Sequence, residues 1–337
     1  MKFLLTLTIG LLFTVTLFGQ EDRINELVKR GIELNDQGKY AEAVAKYNAA
    51  LEIDINSEFA TYELSYTYMT MGQYDNAVRY SKKVIKQNGS HLHEAYVVLG
   101  SSLDMLGKSK KAVDVFVEGL ALFPNSNLLN YNLALTYYKL QNYEKAEVAA
   151  INAIIAKPKH PSSHLALSTI VQAKEEQIKS LLPLYYFLML EPNSQRSKIN
   201  YIKVREMLIQ GVTQKDEKNV DMKIVSDTSS SNEFSGAEMM VSLRAAARYA
   251  AANRNKSDMQ IFVESTRGIF SILGEMKKDK TGFWWDIYVA RFNDLVATNN
   301  YEAFCYYISK SINADEVKKW IADNPSKMQA LMDWMNK

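Results

Sequence analysis

The sequence predicts an all-α fold, a solenoid of repeated helix pairs followed by a C-terminal helical domain, and three observations carry that expectation. A 34-residue period runs from Ile24 to Ser194, interrupted by one inserted residue, Leu92. Glycines and prolines recur at fixed places in that period, where they end one helix and stop the next. The composition agrees. Of 337 residues, 47% are hydrophobic and 23% charged, and 6 Pro and 14 Gly are too few for a turn-rich β fold or long linkers.

Residues 1–19 differ from everything after them. Lys2 precedes an apolar run over residues 3–18 that ends at Gly19-Gln20, and charge returns at Glu21. A basic start, a short apolar core and a small terminal residue form the pattern of a secretory signal peptide, which predicts a periplasmic or secreted protein. The run falls short of the ~20 residues a spanning helix needs, so no integral membrane segment beyond the signal is expected. Cleavage after Gly19 puts Leu17 where a small residue is preferred, which keeps an uncleaved anchor as the alternative. No cysteine follows the run, so it is not a bacterial lipoprotein signal.

Five windows tile the repeat region: 24–57, 58–91, 93–126, 127–160 and 161–194. Window four has Leu133, Ala134 and Tyr137 on a first helix, Tyr143 at the turn, and Ala146 and Ala153 on a second helix before Pro158. Window three repeats this with Leu99, Gly100, Gly107, Ala112, Phe116 and Pro124. Window two has Leu64, Ser65, Tyr68, Gly72, Tyr74 and Ala77, and window one Gly31, Gly38, Tyr40, Ala43, Tyr47 and Ala50. Small residues let two antiparallel helices approach, and Gly38, Gly72 and Gly107 end the first helix in a left-handed turn. No single pair buries its own apolar face, so the pairs must stack. Window five keeps Leu167, Ser168 and Pro192, but Glu175 replaces the turn Gly and Ser180 the Ala. Pro183 there would break a helix interior unless Ser180 caps the helix and leaves the proline in its first turn.

These residues resemble the tetratricopeptide-repeat (TPR) consensus: a small residue at the eighth position, a Gly-x-Tyr turn, Ala at the twentieth and Pro at the thirty-second. The resemblance implies a scaffold that binds a partner protein or peptide, with no enzymatic activity and no cofactor. It also implies an inner groove lined by the first helix of each repeat. Mapped onto this sequence, the groove takes Phe59, Tyr62, Tyr66 and Met69, then Glu94, Val97, Ser101 and Asp104, then Leu128, Tyr131, Leu135, Tyr138 and Lys139. Several Tyr and few charges suit an extended or helical peptide, because Tyr offers contact area at low entropy cost. Val28 and Ile32 stand where some family members carry a carboxylate clamp, so no such clamp is expected. Tyrosines packed from inside against the C-terminal domain are the alternative.

Past Ser194 the period stops. Ile199, Ile202 and Ile209 read as a helix covering the last repeat, and residues 214–234 as a polar linker. From 235 to 337 helical stripes return: Met239, Leu243, Ala246, Ala250; then Ile261, Ser265, Ile269, Ile272; then Trp284, Ile287, Tyr288, Leu295, Val296. Met328, Leu331, Met332 and Met335 make the last one. Asn313 with Glu316 reads as a capping box, and Asn324-Pro325 as a cap with a first-turn proline. The motifs Gly282-Phe283-Trp284-Trp285-Asp286 and Phe304-Cys305-Tyr306-Tyr307-Ile308 resemble the C-terminal part of exported TPR proteins from Gram-negative bacteria.

Other chemistries fare poorly. A net charge of +2, with no basic block longer than residues 108–111, argues against nucleic acid as partner. Gly107-Lys108-Ser109 ends like a phosphate loop, but Ser102 stands where that motif needs Gly. His160 and His164 have helical metal-pair spacing, yet Pro161 separates them and no ligand cluster completes a set. Residues 235–337 hold no histidine and one cysteine, Cys305, on an apolar face, which excludes a Cys-His or Ser-His pair there. Trp284 and Trp285 beside Asp286 keep a second reading open, a glycan- or peptidoglycan-associated protein with weak enzymatic activity.

Overall fold

The computed structural model describes residues 2–215, 220–222, 233–250, 253 and 255–337, with side chains for all of these except 2–18, 214, 220 and 222. Every 34-residue window folds into two helices. Window one holds the end of α1 (Lys2–Asp36) and α2 (Tyr40–Ile53), window two α3 (Glu58–Thr70) and α4 (Tyr74–Gln87). Window three holds α5 (Leu92–Met105) and α6 (Ser109–Leu122), and window four α7 (Asn127–Lys139) and α8 (Tyr143–Ala156). Window five holds α9 (Pro161–Ala173) and α10 (Gln177–Leu190). The fold is all-α, as the period predicts.

One turn joins the two helices in each window. Gly38, Gly72 and Gly107 have φ of 74°, 74° and 73°. The Gly38 N–H donates to the Asn35 carbonyl and the Lys39 N–H to the Leu34 carbonyl, both at 2.9 Å, and later windows repeat the pair of bonds. Gln141 and Glu175 take the same left-handed conformation, at φ 58° and 61°, although a side chain there costs about 1–2 kcal/mol. Window five is altered in residue, not in geometry.

The chain forms two compact units, residues 1–142 and 143–337. In unit 1, the small residues sit at close crossings. A Cβ on Gly31 would lie 2.3 Å from the Tyr47 ring, and one on Gly100 would lie 2.3 Å from the Phe116 ring. Ser57 and Ser126 start α3 and α7, their side chains accepting the N–H groups of Ala60 and Leu129.

Unit 2 continues past α10 with α11 (Gln195–Met207) and a two-stranded antiparallel ribbon, β1 (Val212–Gln214) with β2 (Val220–Met222). That ribbon lies in the stretch read as linker, whose residues 216–219 and 223–232 fall outside those described. Then come α12 (Ser235–Ala247), α13 (Asp258–Lys277), a π-helical turn Trp284–Val289 leading into α14 (Ala290–Ala297), and α15 (Tyr301–Ile308). A 3-10 turn Lys310–Ile312, α16 (Asp315–Asp323) and α17 (Pro325–Met335) complete it. These helices share a core with window five. Tyr185 of α10 is fully buried, with the rings of Phe262, Phe270, Phe292 and Phe304 around it and its hydroxyl 2.9 Å from that of Thr266.

Several local expectations are corrected. Ser180 does not cap α10, which starts three residues earlier, so Pro183 lies inside the helix. The Ser168 hydroxyl instead donates to the Ser180 carbonyl at 2.8 Å, tying α9 to α10. Asn313 is left-handed and α16 begins after Ala314 with no side-chain cap; Glu316 accepts from the Ser257 hydroxyl at 2.6 Å. The capping box belongs to Ser257 and Gln260 at the start of α13. Met239 and Leu243 are exposed, while α12 buries Ala237, Glu238, Val241, Ser242 and Ala245. Ile199, Ile202 and Ile209 are likewise exposed, and α11 buries Ser197, Asn200, Tyr201, Val204 and Met207. Trp284 and Trp285 are 8% and 2% exposed, which leaves no open ring face for a sugar. Asp286 is held by the Lys277 ammonium at 2.9 Å and the Gly282 N–H at 2.8 Å. Cys305 is buried, and burial pushes its thiol well above the ordinary range.

His164 is built into this core. Its Nε2 lies 2.8 Å from the Pro158 carbonyl, which can only accept, so that nitrogen carries the proton. Nδ1 then accepts from the Tyr288 hydroxyl at 2.7 Å, and the Tyr186 ring stacks on the imidazole at 4.3 Å. Burial lowers its pKa from 6.5 to about 4. Between those values the unfolded chain takes up a proton that the folded chain refuses. Stability therefore falls as pH drops from 6.5 toward 4, by up to about 3 kcal/mol from this residue. Denaturant unfolding at several pH values is expected to show a shallower fall for His164→Gln than for the wild-type chain.

Candidate partner-binding groove

All thirteen groove residues singled out from the sequence lie on α3, α5 and α7 of unit 1. α3 packs on α5 and α5 on α7, so the first helices of three successive windows adjoin. α3 buries Ala60, Thr61, Leu64, Ser65 and Thr67, which turns Phe59, Tyr62, Tyr66 and Met69 to another face. Tyr66 is 40% exposed and the other three are half-buried. α7 buries Leu129, Asn130, Leu133, Ala134 and Thr136, leaving Leu128 and Leu135 exposed at 43% and 38%. Tyr131, Tyr138, Val97, Ser101 and Asp104 are half-buried, and Lys139 is exposed.

A residue the sequence reading passed over holds the aromatic end. His91, in the turn before α5, stacks on Phe59 at 5.2 Å and on Tyr62 at 4.8 Å between ring centroids. The Glu58 carboxylate fixes that turn by accepting the N–H groups of His91 at 2.7 Å and Ser90 at 3.1 Å. Gly89 makes room for it, since a Cβ there would lie 2.2 Å from Glu58 Oε2. The signal in the sequence was the inserted Leu92, which adds one residue to the start of α5 directly after this turn.

Two of the three charged groove residues, Asp104 and Lys139, answer each other. The Lys139 ammonium donates to the Asp104 carbonyl at 2.8 Å and lies 3.4 Å from its carboxylate, which the Ser109 hydroxyl also meets. Asp104 and Lys139 thus tie α5 to α7, and the large apolar or aromatic groove residues left exposed are Tyr66, Leu128 and Leu135. Such a face offers apolar contact area and no unbalanced charge from this pair.

Comparison with known proteins fits the helix pairs. The family described as anaphase-promoting complex, cyclosome, subunit 3 matches residues 36–119, and the tetratricopeptide repeat family matches residues 97–163. The chain is a tetratricopeptide-repeat protein. It is similar to the TPR repeat-containing protein MJ1428 of Methanocaldococcus jannaschii, 24% identical over 174 residues, 49% of this chain and 30% of that protein. It is also similar to the BBSome complex member BBS4 of Bos taurus, 24% identical over 135 residues, 40% of this chain and 26% of that one. The chain therefore spans under a third of the length of either curated relative. Among solved structures, the thermophilic TPR protein TTC0263 of Thermus thermophilus aligns with a TM-score of 0.47 at 19% identity, over 55% of this chain and 98% of that one.

One ionisable group is embedded in the TPR groove helix α3. Glu63, next to Tyr62, is half-buried, and loss of solvent together with the nearby Asp36 charge pushes its carboxyl from 4.5 up to about 7. A raised carboxyl pKa contributes stability below 4.5 that disappears as pH rises through about 7. Glu63→Gln is therefore expected to raise the unfolding midpoint at pH 8 and leave it unchanged near pH 4. A variant equally affected at both pH values contradicts this placement of the carboxyl.

Proposed function

We propose that this TPR protein is a scaffold that holds an extended or helical segment of a partner protein along the face shared by α3, α5 and α7. The observation that carries the reading is that the adjoining helices α3, α5 and α7 leave Tyr66, Leu128 and Leu135 exposed, while Asp104 and Lys139 balance each other. Rings already fixed by stacking, as Phe59 and Tyr62 are on His91, lose little further freedom when a partner arrives. Apolar anchors of this kind dominate binding energy more than the polar contacts around them. Recognition then depends on apolar side chains of the partner, with Lys139 and Asp104 unavailable as a carboxylate clamp.

We further read residues 1–19 as an export signal, so that the scaffold works in the periplasm or outside the cell. Among the described residues no helix is long and apolar enough to cross a membrane.

The test uses exposed positions, where truncation spares the fold. Tyr66→Ala, Leu128→Ala and Leu135→Ala combined are expected to weaken partner capture by about a hundredfold, taking roughly 1 kcal/mol for each anchor. Capture is read by pull-down from envelope extracts with mass spectrometry, and thermal unfolding serves as the folding control. Partners that survive the triple change at wild-type levels would remove the groove from the account.

A further inference from the structure

Unit 2 contains a cavity of about 310 Å³ bounded by α11, α12, α13 and the 3-10 turn, and it shares no residue with the α3–α5–α7 face. Ile202, Ile209, Ile261, Phe262 and Ile312 make its walls apolar. Three arginines, Arg205, Arg244 and Arg248, line it as well. This is the size and make-up of a small-ligand pocket, which runs from about 300 to 1,000 Å³ with a few polar groups fixing orientation.

The three guanidiniums are unequally satisfied. Arg205 lies 3.1 Å from the Asp258 carboxylate. Arg244 lies against Gly268, where a Cβ would meet its guanidinium carbon at 2.0 Å, and its Nη1 reaches the Glu264 carbonyl at 3.4 Å. Its Nε is buried and has no hydrogen-bond partner among the described residues. Arg248 has the Tyr249 ring 5.6 Å away. Three arginines against two lining carboxylates, Asp258 and Glu206, leave the cavity one positive charge. A buried guanidinium N–H without an acceptor is costly, and the acceptor that fits its fork is a carboxylate.

We propose that this cavity binds a small amphiphilic monocarboxylate, its aliphatic chain among the isoleucines and its carboxylate on Arg244 and Arg248. One negative charge balances the lining. A neutral chain leaves the positive charge of the lining unbalanced, and a cationic one adds to it. The site is independent of the groove, so each can fail alone.

Isothermal titration of the full chain with octanoate, octan-1-ol and octylammonium tests the proposal. Octanoate is expected to bind saturably at one site, about tenfold or more tighter than octanol, with no saturable binding of octylammonium. Arg244→Gln and Arg248→Gln should each weaken octanoate by about tenfold and leave octanol unchanged, the loss expected for one charged hydrogen bond. Ile261→Trp, which fills the cavity, should abolish both, and the groove triple-alanine variant should alter neither. Equal binding of octanoate and octanol, absence of saturable octanoate binding, or arginine variants that fold and bind octanoate normally would each overturn it. Should Arg244→Gln fail to fold, Arg248→Gln and the octanoate–octanol comparison decide the matter.

Discussion

Two helices can be drawn together only where one of them has no side chain in the way. In unit 1 that place is Gly31 under the Tyr47 ring and Gly100 under the Phe116 ring, each pair sixteen residues apart in the chain. Contact this close buries a large ring against backbone, where it makes many small attractive contacts at once. The crossing fixes how each pair is set, and the apolar surface each pair cannot cover makes it stack on the next. The groove face follows from that stacking. Once α3, α5 and α7 adjoin, their buried residues lock the helices and leave Phe59, Tyr62, Tyr66, Leu128 and Leu135 outside the buried set.

The turn between paired helices shows how much of this is geometry and how much is residue choice. Glycine occupies it in three windows, Gln141 in the fourth and Glu175 in the fifth, yet all five have positive φ. Asn299, between α14 and α15, makes it again, with its N–H donating to Val296 and that of Asn300 to Leu295. The helix-ending hydrogen bonds hold the conformation, and glycine only makes it cheaper. Glycine alone undervalues window five, whose Ser168–Ser180 contacts tie α9 to α10 and whose buried Tyr185 joins the last repeat to the C-terminal helices.

The repeats were legible in the sequence because a 34-residue period leaves the same residue types at the same crossings. The C-terminal helices were legible as helices but not as faces. Glu238 and Ser242 are buried polar residues with internal partners, so the buried face of α12 looks partly polar in the sequence, and Thr266 puts one polar position in the apolar face of α13. Met239, Leu243, Ile199 and Ile202 look like core and are exposed. The period also placed the groove residues on their three helices. It did not show the pairing of Asp104 with Lys139 across neighbouring windows, nor His91, since a ring in a turn has no periodic signature.

The repeat depends on a glycine and a ring sharing one space. A double-mutant cycle on Gly100 and Phe116 measures it directly. Gly100→Val is destabilising while Phe116 fills the site, and Phe116→Leu should relieve much of that penalty by vacating it. A coupling of about 1–2 kcal/mol between the two changes is expected in denaturant unfolding. Effects that add to within about 0.5 kcal/mol would show that the two residues do not meet, and the packing described here would be wrong.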